Sequence, residues 1–335
     1  MSTAALTDGF GRVHRSLRVS VTDRCNLRCR YCMPEAGIAL LPQGEILSYD
    51  ELEGILAAVT GPLGLRGIRV TGGEPLVRGG IAPFLTRLAR LPGIEDLSMT
   101  TNGLLLARHA RELRAAGLRR VNVSLDSLRP ERFRELCRGG SPAEVFAGIR
   151  AAEEAGLSPV KINMVVIPGV NDDEVEEMAR LSVDEARHVR FIEFMPVGNA
   201  GFQRERRYIP SAELRRRLAE RFGLEEAPDG PAGLGPARYW RIPGAAGTVG
   251  FISPLSQHFC ASCNRIRLTA DGWVRTCLLT DRIGVDVKTP WRAGVRGEGI
   301  VRLFREAIAM KPASHEFAAG GEEARFNRTM CQIGG

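Results

Sequence analysis

Six short runs rich in β-branched residues alternate with helical stretches along the first 195 residues, and that alternation limits the fold more than any other feature. The runs are LRVSVTD (17–23), IRVTG (68–72), EDLSMTTNG (95–103), RRVNVSLD (119–126), VKINMVVI (160–167) and HVRFIEFM (188–195). Helix starts between them carry their own signals. Ser48-Tyr49-Asp50-Glu51 and Ser141-Pro142-Ala143-Glu144 both read as capping boxes, the second with proline at the first helical position. Parallel neighbours need crossovers, so six successive β-α units with nearly continuous apolar strands predict a parallel sheet. Eight such units close a TIM barrel; six predict an α/β fold with an incomplete (β/α)6 TIM-type barrel.

Beyond the helical stretch 211–223 the pattern changes. Residues 225–250 are rich in glycine and proline and read as a loop or linker. Residues 265–279 read as two strands around an Asp271-Gly272 turn, a β-hairpin, followed by a helix over 298–310 and a polar tail. The expected division is a barrel domain over 1–224 and a C-terminal region over 225–335.

Composition removes several classes of function. No stretch approaches the ~18 apolar residues of a membrane span, and the N-terminal segment has no apolar run of the secretory kind. Eight cysteines without export point to a reducing cytoplasm, where clustered thiols bind metal more often than they bridge. The net charge of +7 is spread along the chain with 39 acidic residues mixed in, so no nucleic-acid face is expected. All but three of the 46 basic residues are arginine, the lysines standing at 161, 288 and 311. A lysine kept where arginine is the habit suggests a need for a compact point charge, and Lys161 lies on a strand.

Cys25, Cys29 and Cys32 follow the first strand in C-x3-C-x2-C spacing, with Tyr31 before the third. Ligands bind at the C-terminal ends of parallel strands, which is where this loop falls. Three thiolates are one short of a closed zinc site, and the segment offers only Asp23 and Glu35 as further carboxylates. They suit a four-iron cubane, in which three irons take cysteine and the fourth stays open. Cys260, Cys263 and Cys277 form a second triple around the hairpin. Here His258 could complete a Cys3His zinc site, so cluster and zinc both stay open on local grounds.

The three-cysteine loop, with Gly72-Gly73-Glu74-Pro75 at the end of the second strand, resembles the radical S-adenosylmethionine superfamily. Within it, LRVSVTDRCNLRCRYCMP, TGGEPL, TTNGLLL, RRVNVSLDSL, RFIEFMPVGN, CNRIRL and the terminal Gly-Gly resemble the cyclases of molybdenum cofactor biosynthesis along nearly the whole chain. The resemblance implies two [4Fe-4S] clusters, one on each cysteine triple, and S-adenosylmethionine near Tyr31, Gly73, Ser124 and Met195, with Asp126 close by. It implies GTP near Arg18, Arg69, Thr100, Lys161, Arg190, Arg265, Ile266 and Arg267. Arg265 and Arg267, with Gly334 and Gly335 of the tail, are expected to act in catalysis. The implied reaction takes the 3′ hydrogen of GTP with a radical made from S-adenosylmethionine and joins C3′ to C8. An electron donor, a downstream cyclic pyranopterin monophosphate synthase and a homodimeric state are the implied partners.

One departure from the pattern is Gly67, where a lysine is expected; Arg66 is the candidate replacement. Cys137 and Cys331 read as incidental thiols. The alternatives are a two-cluster radical enzyme acting on a peptide and a zinc protein that binds nucleic acid.

Overall fold

The computed structural model describes residues 5–195, 197, 208–231, 233–279, 284–315 and 328–334. The six expected strands form as β1 (Ser16–Ser20), β2 (Gly67–Thr71), β3 (Asp96–Thr101), β4 (Arg120–Ser124), β5 (Val160–Val166) and β6 (His188–Glu193). They pair in parallel in chain order. The crossovers carry α1 (Tyr49–Val59), α2 (Ile81–Leu88), α3 (Leu106–Ala115), α4 (Pro130–Cys137), α5 (Pro142–Glu154) and α6 (Val175–Arg180); α7 (Ser211–Phe222) follows β6. At the start of α1, Ser48 Oγ accepts from Glu51 N at 3.1 Å and Glu51 Oε2 accepts from Ser48 N at 2.7 Å. Ser141 Oγ accepts from Glu144 N at 3.4 Å but donates to the Glu144 carboxylate at 2.9 Å, so its box is only half made.

The C-terminal segment joins the same sheet. It supplies β7 (Glu225–Glu226), β8 (Arg238–Arg241), β9 (Thr248–Ile252), β10 (Arg265–Leu268), β11 (Trp273–Arg275) and β12 (Gly284–Asp286). β9 adds in parallel to β6 and β10 in parallel to β1, extending six parallel strands to eight. Antiparallel pairs finish both ends, in the order β12-β11-β10-β1-β2-β3-β4-β5-β6-β9-β8-β7. The expected boundary at 224/225 therefore does not separate two sheets, and 225–250 is not a linker. α8 (Lys288–Arg292), α9 (Glu298–Ala309) and α10 (Met330–Ile333) complete the order, with α9 packed on α1 and β12.

The strands alternate rather than running continuously apolar. Leu17, Val19, Ile68, Val70, Val121, Val123, Ile162, Met164, Val189 and Phe191 face the helices and are buried in one core with Leu52, Phe84, Leu113 and Ile149. Their neighbours Arg18, Arg69, Asn122, Asn163 and Arg190 face the other way. The reason is geometric. All eight parallel strands contribute residues to one cavity, from Arg267 on β10 round to Ile252 on β9. Laid flat, seven spacings of ~4.8 Å would part those strands by about 34 Å. The sheet must curl, and its concave face is polar because it is a lining and not a core. Among the described residues no helix is long and apolar enough to cross a membrane.

Candidate active site

The cavity holds about 1810 Å³ of space, its open mouth included. Residues of both cysteine triples and of all eight parallel strands line it.

One wall is the loop after β1. Cys32 N and Met33 N both donate to Cys29 O, at 2.9 and 3.1 Å, which turns Cys29 and Cys32 to one side. Leu27 N donates to Cys25 Sγ at 3.4 Å. The end of α4 ties the loop down, with Arg28 N on Cys137 O at 3.0 Å and Arg30 N on Leu136 O at 2.8 Å. Burial pushes the Cys25 thiol up to about 12, so a thiolate there needs a cation beside it. Three thiols on one cavity wall are the donor set that a cluster with one open iron takes.

The neighbouring wall explains its glycines. A Cβ on Gly73 would lie 2.3 Å from Arg24 O, and one on Gly72 would lie 2.9 Å from Thr22 O, so only glycine lets the end of β2 approach the cysteine loop. Buried Glu74 rivets this wall by accepting from Thr101 Oγ1 (2.8 Å), Asn102 N (2.7 Å) and Leu76 N (3.1 Å). Burial outweighs those bonds and raises its carboxyl to about 7. Tyr31 Oη donates to Asp126 Oδ2 at 2.6 Å, and Asp126 Oδ1 accepts from Val165 N at 2.9 Å. Tyr31, Gly73, Ser124, Asp126 and Met195 all line the cavity.

Cys260, Cys263 and Cys277 line the same cavity. A 3-10 turn over Cys260–Ser262 brings Cys263 N to Cys260 O at 3.2 Å, and Cys277 follows β11. Burial opposes the Cys263 thiolate, but Arg265 and Lys311 beside it bring the thiol down to about 7. His258 lines the cavity too, stacked edge-on to His315 at 5.7 Å. Among the described residues, no three His, Cys, Asp or Glu side chains gather closely enough to hold a single ion. A zinc ion needs such convergence, whereas a cubane spreads its thiolates over separate irons.

The same lining is cationic. Arg18, Arg69, Arg190, Arg265 and Arg267 all face the cavity, with Thr100. Among the described residues their hydrogen-bond partners are neutral: Arg190 donates to Asn163 Oδ1 (2.8 Å) and Asn122 Oδ1 (2.6 Å), and Arg69 to Ser98 Oγ (3.4 Å). Burial, then mutual repulsion, lowers Arg18 well below the usual arginine range, Arg69 to about 9 and Arg267 to about 10. A cluster of buried cations without carboxylates is a site for a polyanion.

Two expected substrate contacts lie elsewhere. Ile266 registers with Leu17 and its side chain is fully buried in the core, because alternation sends it away from Arg265 and Arg267. Lys161 is buried outside the cavity lining and donates to Pro231 O at 3.3 Å. At Gly67 the space toward the barrel axis is taken by Leu234, whose Cδ1 would lie 3.1 Å from an added Cβ. Arg66 does not replace the missing lysine; it is exposed and paired with Glu95 at 3.1 Å.

The tail reaches the site. Gly334 O accepts from the Arg267 guanidinium. Gly334 has φ +81°, and a Cβ there would lie 2.8 Å from Thr71 Oγ1 and 3.0 Å from Ser20 Cβ. Gly335 lies outside the described residues. Cys137 and Cys331, read as incidental, sit beside the first cysteine set, Cys137 next to Cys29 and Cys331 next to Cys32, and Cys331 lines the cavity. Tertiary packing makes both contacts, so no local spacing rule finds them. Asn163, which orients Arg190, was missed because a strand asparagine carries no signal by itself.

Fold and three-cysteine loop together define a radical S-adenosylmethionine protein, and residues 19–182 match the Radical SAM superfamily. Residues 187–317 match Molybdenum Cofactor Synthesis C. The chain belongs to the GTP 3′,8-cyclase family. It is 50% identical over 331 residues to the GTP 3′,8-cyclase of Heliobacterium modesticaldum, covering 98% of this chain and 100% of that one. The enzyme of the same name from Pelotomaculum thermopropionicum is 49% identical, with the same coverage. Streptococcus suis SuiB bound to S-adenosylmethionine shares the fold at TM-score 0.59 and 14% identity, over 91% of this chain and 75% of that one.

Proposed function

We propose that this enzyme converts GTP to (8S)-3′,8-cyclo-7,8-dihydroguanosine 5′-triphosphate in the cytoplasm, at an early step of molybdenum cofactor biosynthesis. One observation supports it above the rest: both three-cysteine sets line one cavity together with five arginines that, among the described residues, pair with no carboxylate. A peptide substrate gives those arginines no use.

Cys25, Cys29 and Cys32 would hold the first [4Fe-4S] cluster, with S-adenosylmethionine against Tyr31, Gly73, Ser124 and Met195. When bound, these cofactors supply one-electron reduction and a radical able to take hydrogen from an unactivated carbon. Cys260, Cys263 and Cys277 would hold the second cluster on the guanine side. The arginines seat the triphosphate, their forks matching phosphate oxygens bidentately, while rigid strands fix the ribose between the two ends. Gly334 holds Arg267 in position through its carbonyl. A reducing protein as electron donor, and a synthase that takes the product on, complete the reading.

The test is an anaerobic incubation with GTP, S-adenosylmethionine and dithionite. 5′-Deoxyadenosine and the cyclised nucleotide should form together. Deoxyadenosine without loss of GTP would leave the class standing and remove the substrate. Iron should approach roughly eight atoms per chain.

A further inference from the structure

Two buried cations that the reaction does not use converge on the second cysteine set. Lys311 is one of only three lysines in an arginine-rich chain and is 4% exposed. Its ammonium donates to Arg265 O at 2.9 Å and to Thr276 O at 2.6 Å, and its charge stands beside the Cys263 thiol and, with Arg265, helps bring that thiol down. An ammonium has three donors, and two of them meet these carbonyls. The carbonyls belong to residues beside two of the cysteines: Arg265 is two residues past Cys263, and Thr276 directly precedes Cys277.

Arg12, from the other end of the chain, secures the third. Its guanidinium donates to Cys260 O at 2.8 Å, and also to Ala313 O at 2.8 Å and Pro312 O at 2.6 Å. It thereby fastens the segment directly after Lys311 to the cysteine turn. Asp8 aims it, accepting from Arg12 Nε at 2.5 Å while also meeting His14 Nε2 at 3.0 Å. Lys311, Arg12, Asp8 and His14 all lie off the cavity lining, behind the residues they hold.

We propose that Lys311 and Arg12 are positioning residues for the second cluster, Arg12 locking the Lys311 segment to Cys260 and Lys311 joining the Cys263 and Cys277 segments while setting a positive charge on the sulfurs. The inference rests on the second cysteine set carrying a cluster. Cluster potentials follow net charge and hydrogen bonds to sulfur, so a cation at this position favours the reduced form. Arginine does not serve as well, because a compact ammonium can meet two carbonyls from separate segments at one point, which a planar fork does not.

The test compares wild-type protein with Lys311→Met, Lys311→Arg and Arg12→Gln, each reconstituted anaerobically with iron and sulfide. Iron content, electron paramagnetic resonance and potentiometric titration are read for both clusters, beside apoprotein melting. Lys311→Met should lower the second cluster's potential and speed its loss of iron to a chelator, leaving the first cluster's signal and potential unchanged. Lys311→Arg should restore most of the potential but not the iron retention. Arg12→Gln should lose second-cluster iron and decides the matter by the same readouts if Lys311→Met does not fold. Variants with wild-type potential and iron retention at both clusters would overturn the inference alone. A wild-type chain holding only the first cluster would remove the two-cluster reading and this inference with it.

Discussion

Lys161 shows what a single residue can and cannot reveal. Its retention in an arginine-rich chain suggests a special site, and alternation puts it on the same strand face as Asn163, which lines the cavity. Depth is another matter. The course of the segment carrying Pro231 sets that depth, and no periodicity describes such a course. Burial, then Arg120, Arg190 and Arg69, lowers its ammonium to about 6. An unfolded lysine titrates near ~10.4, so between about pH 6 and 10 the unfolded chain binds the extra proton and stability rises with pH. At neutral pH the residue therefore subtracts from stability. Lys161→Met should melt higher than wild type near pH 7, with the gap closing toward pH ~10; calorimetry across that range measures it, and a gap that ignores pH would sink the idea. The cysteines make a second contrast. Cys29→Ser should cost about half the iron and all deoxyadenosine formation, since a serine hydroxyl is a poor iron ligand. Cys263→Ser should cost the other half and the cyclised product, yet leave the first cluster's resonance signal in place.

At the scale of elements, the five crossovers between β1 and β6 were legible from their alternating strand and helix periods, with capping signals at the starts of α1 and α5. β9 was not. Its five residues lie in a glycine-rich stretch with no helix before it, and only pairing with β6 reveals it as a buried strand. The tail was legible only as a terminal glycine pair. The structure gives Gly334 a reason, a positive φ between Thr71 and Ser20 where a methyl group collides. Gly334→Ala should therefore displace the tail from Arg267. Both clusters and the melting temperature should stay within experimental scatter of wild type, and cyclisation should fall at least tenfold. Deletion of Gly334 and Gly335 should do the same. Unchanged turnover in both would return the tail to a structural ornament.

For the whole molecule, the two halves share one sheet and one core. Residues 1–224 alone would leave the β1 and β6 edges unpaired and strip Val249, Phe251, Ile266, Phe304 and Ile308 from the core. That fragment should bind a hydrophobic dye and lack a cooperative thermal transition; a sharp transition would show that the barrel stands alone. The arginine lining has a kinetic consequence. On the proposed reaction, substrate and product carry the same triphosphate, so the arginines hold both alike. Binding that does not change along the reaction captures GTP without hastening its chemistry, and it slows departure. Turnover should accordingly show a burst: one rapid cyclisation per enzyme, then a slower steady rate set by release, which rapid quenching would resolve. A downstream enzyme that draws product away would then govern the flux, making this protein a dispenser whose pace is set by its customer.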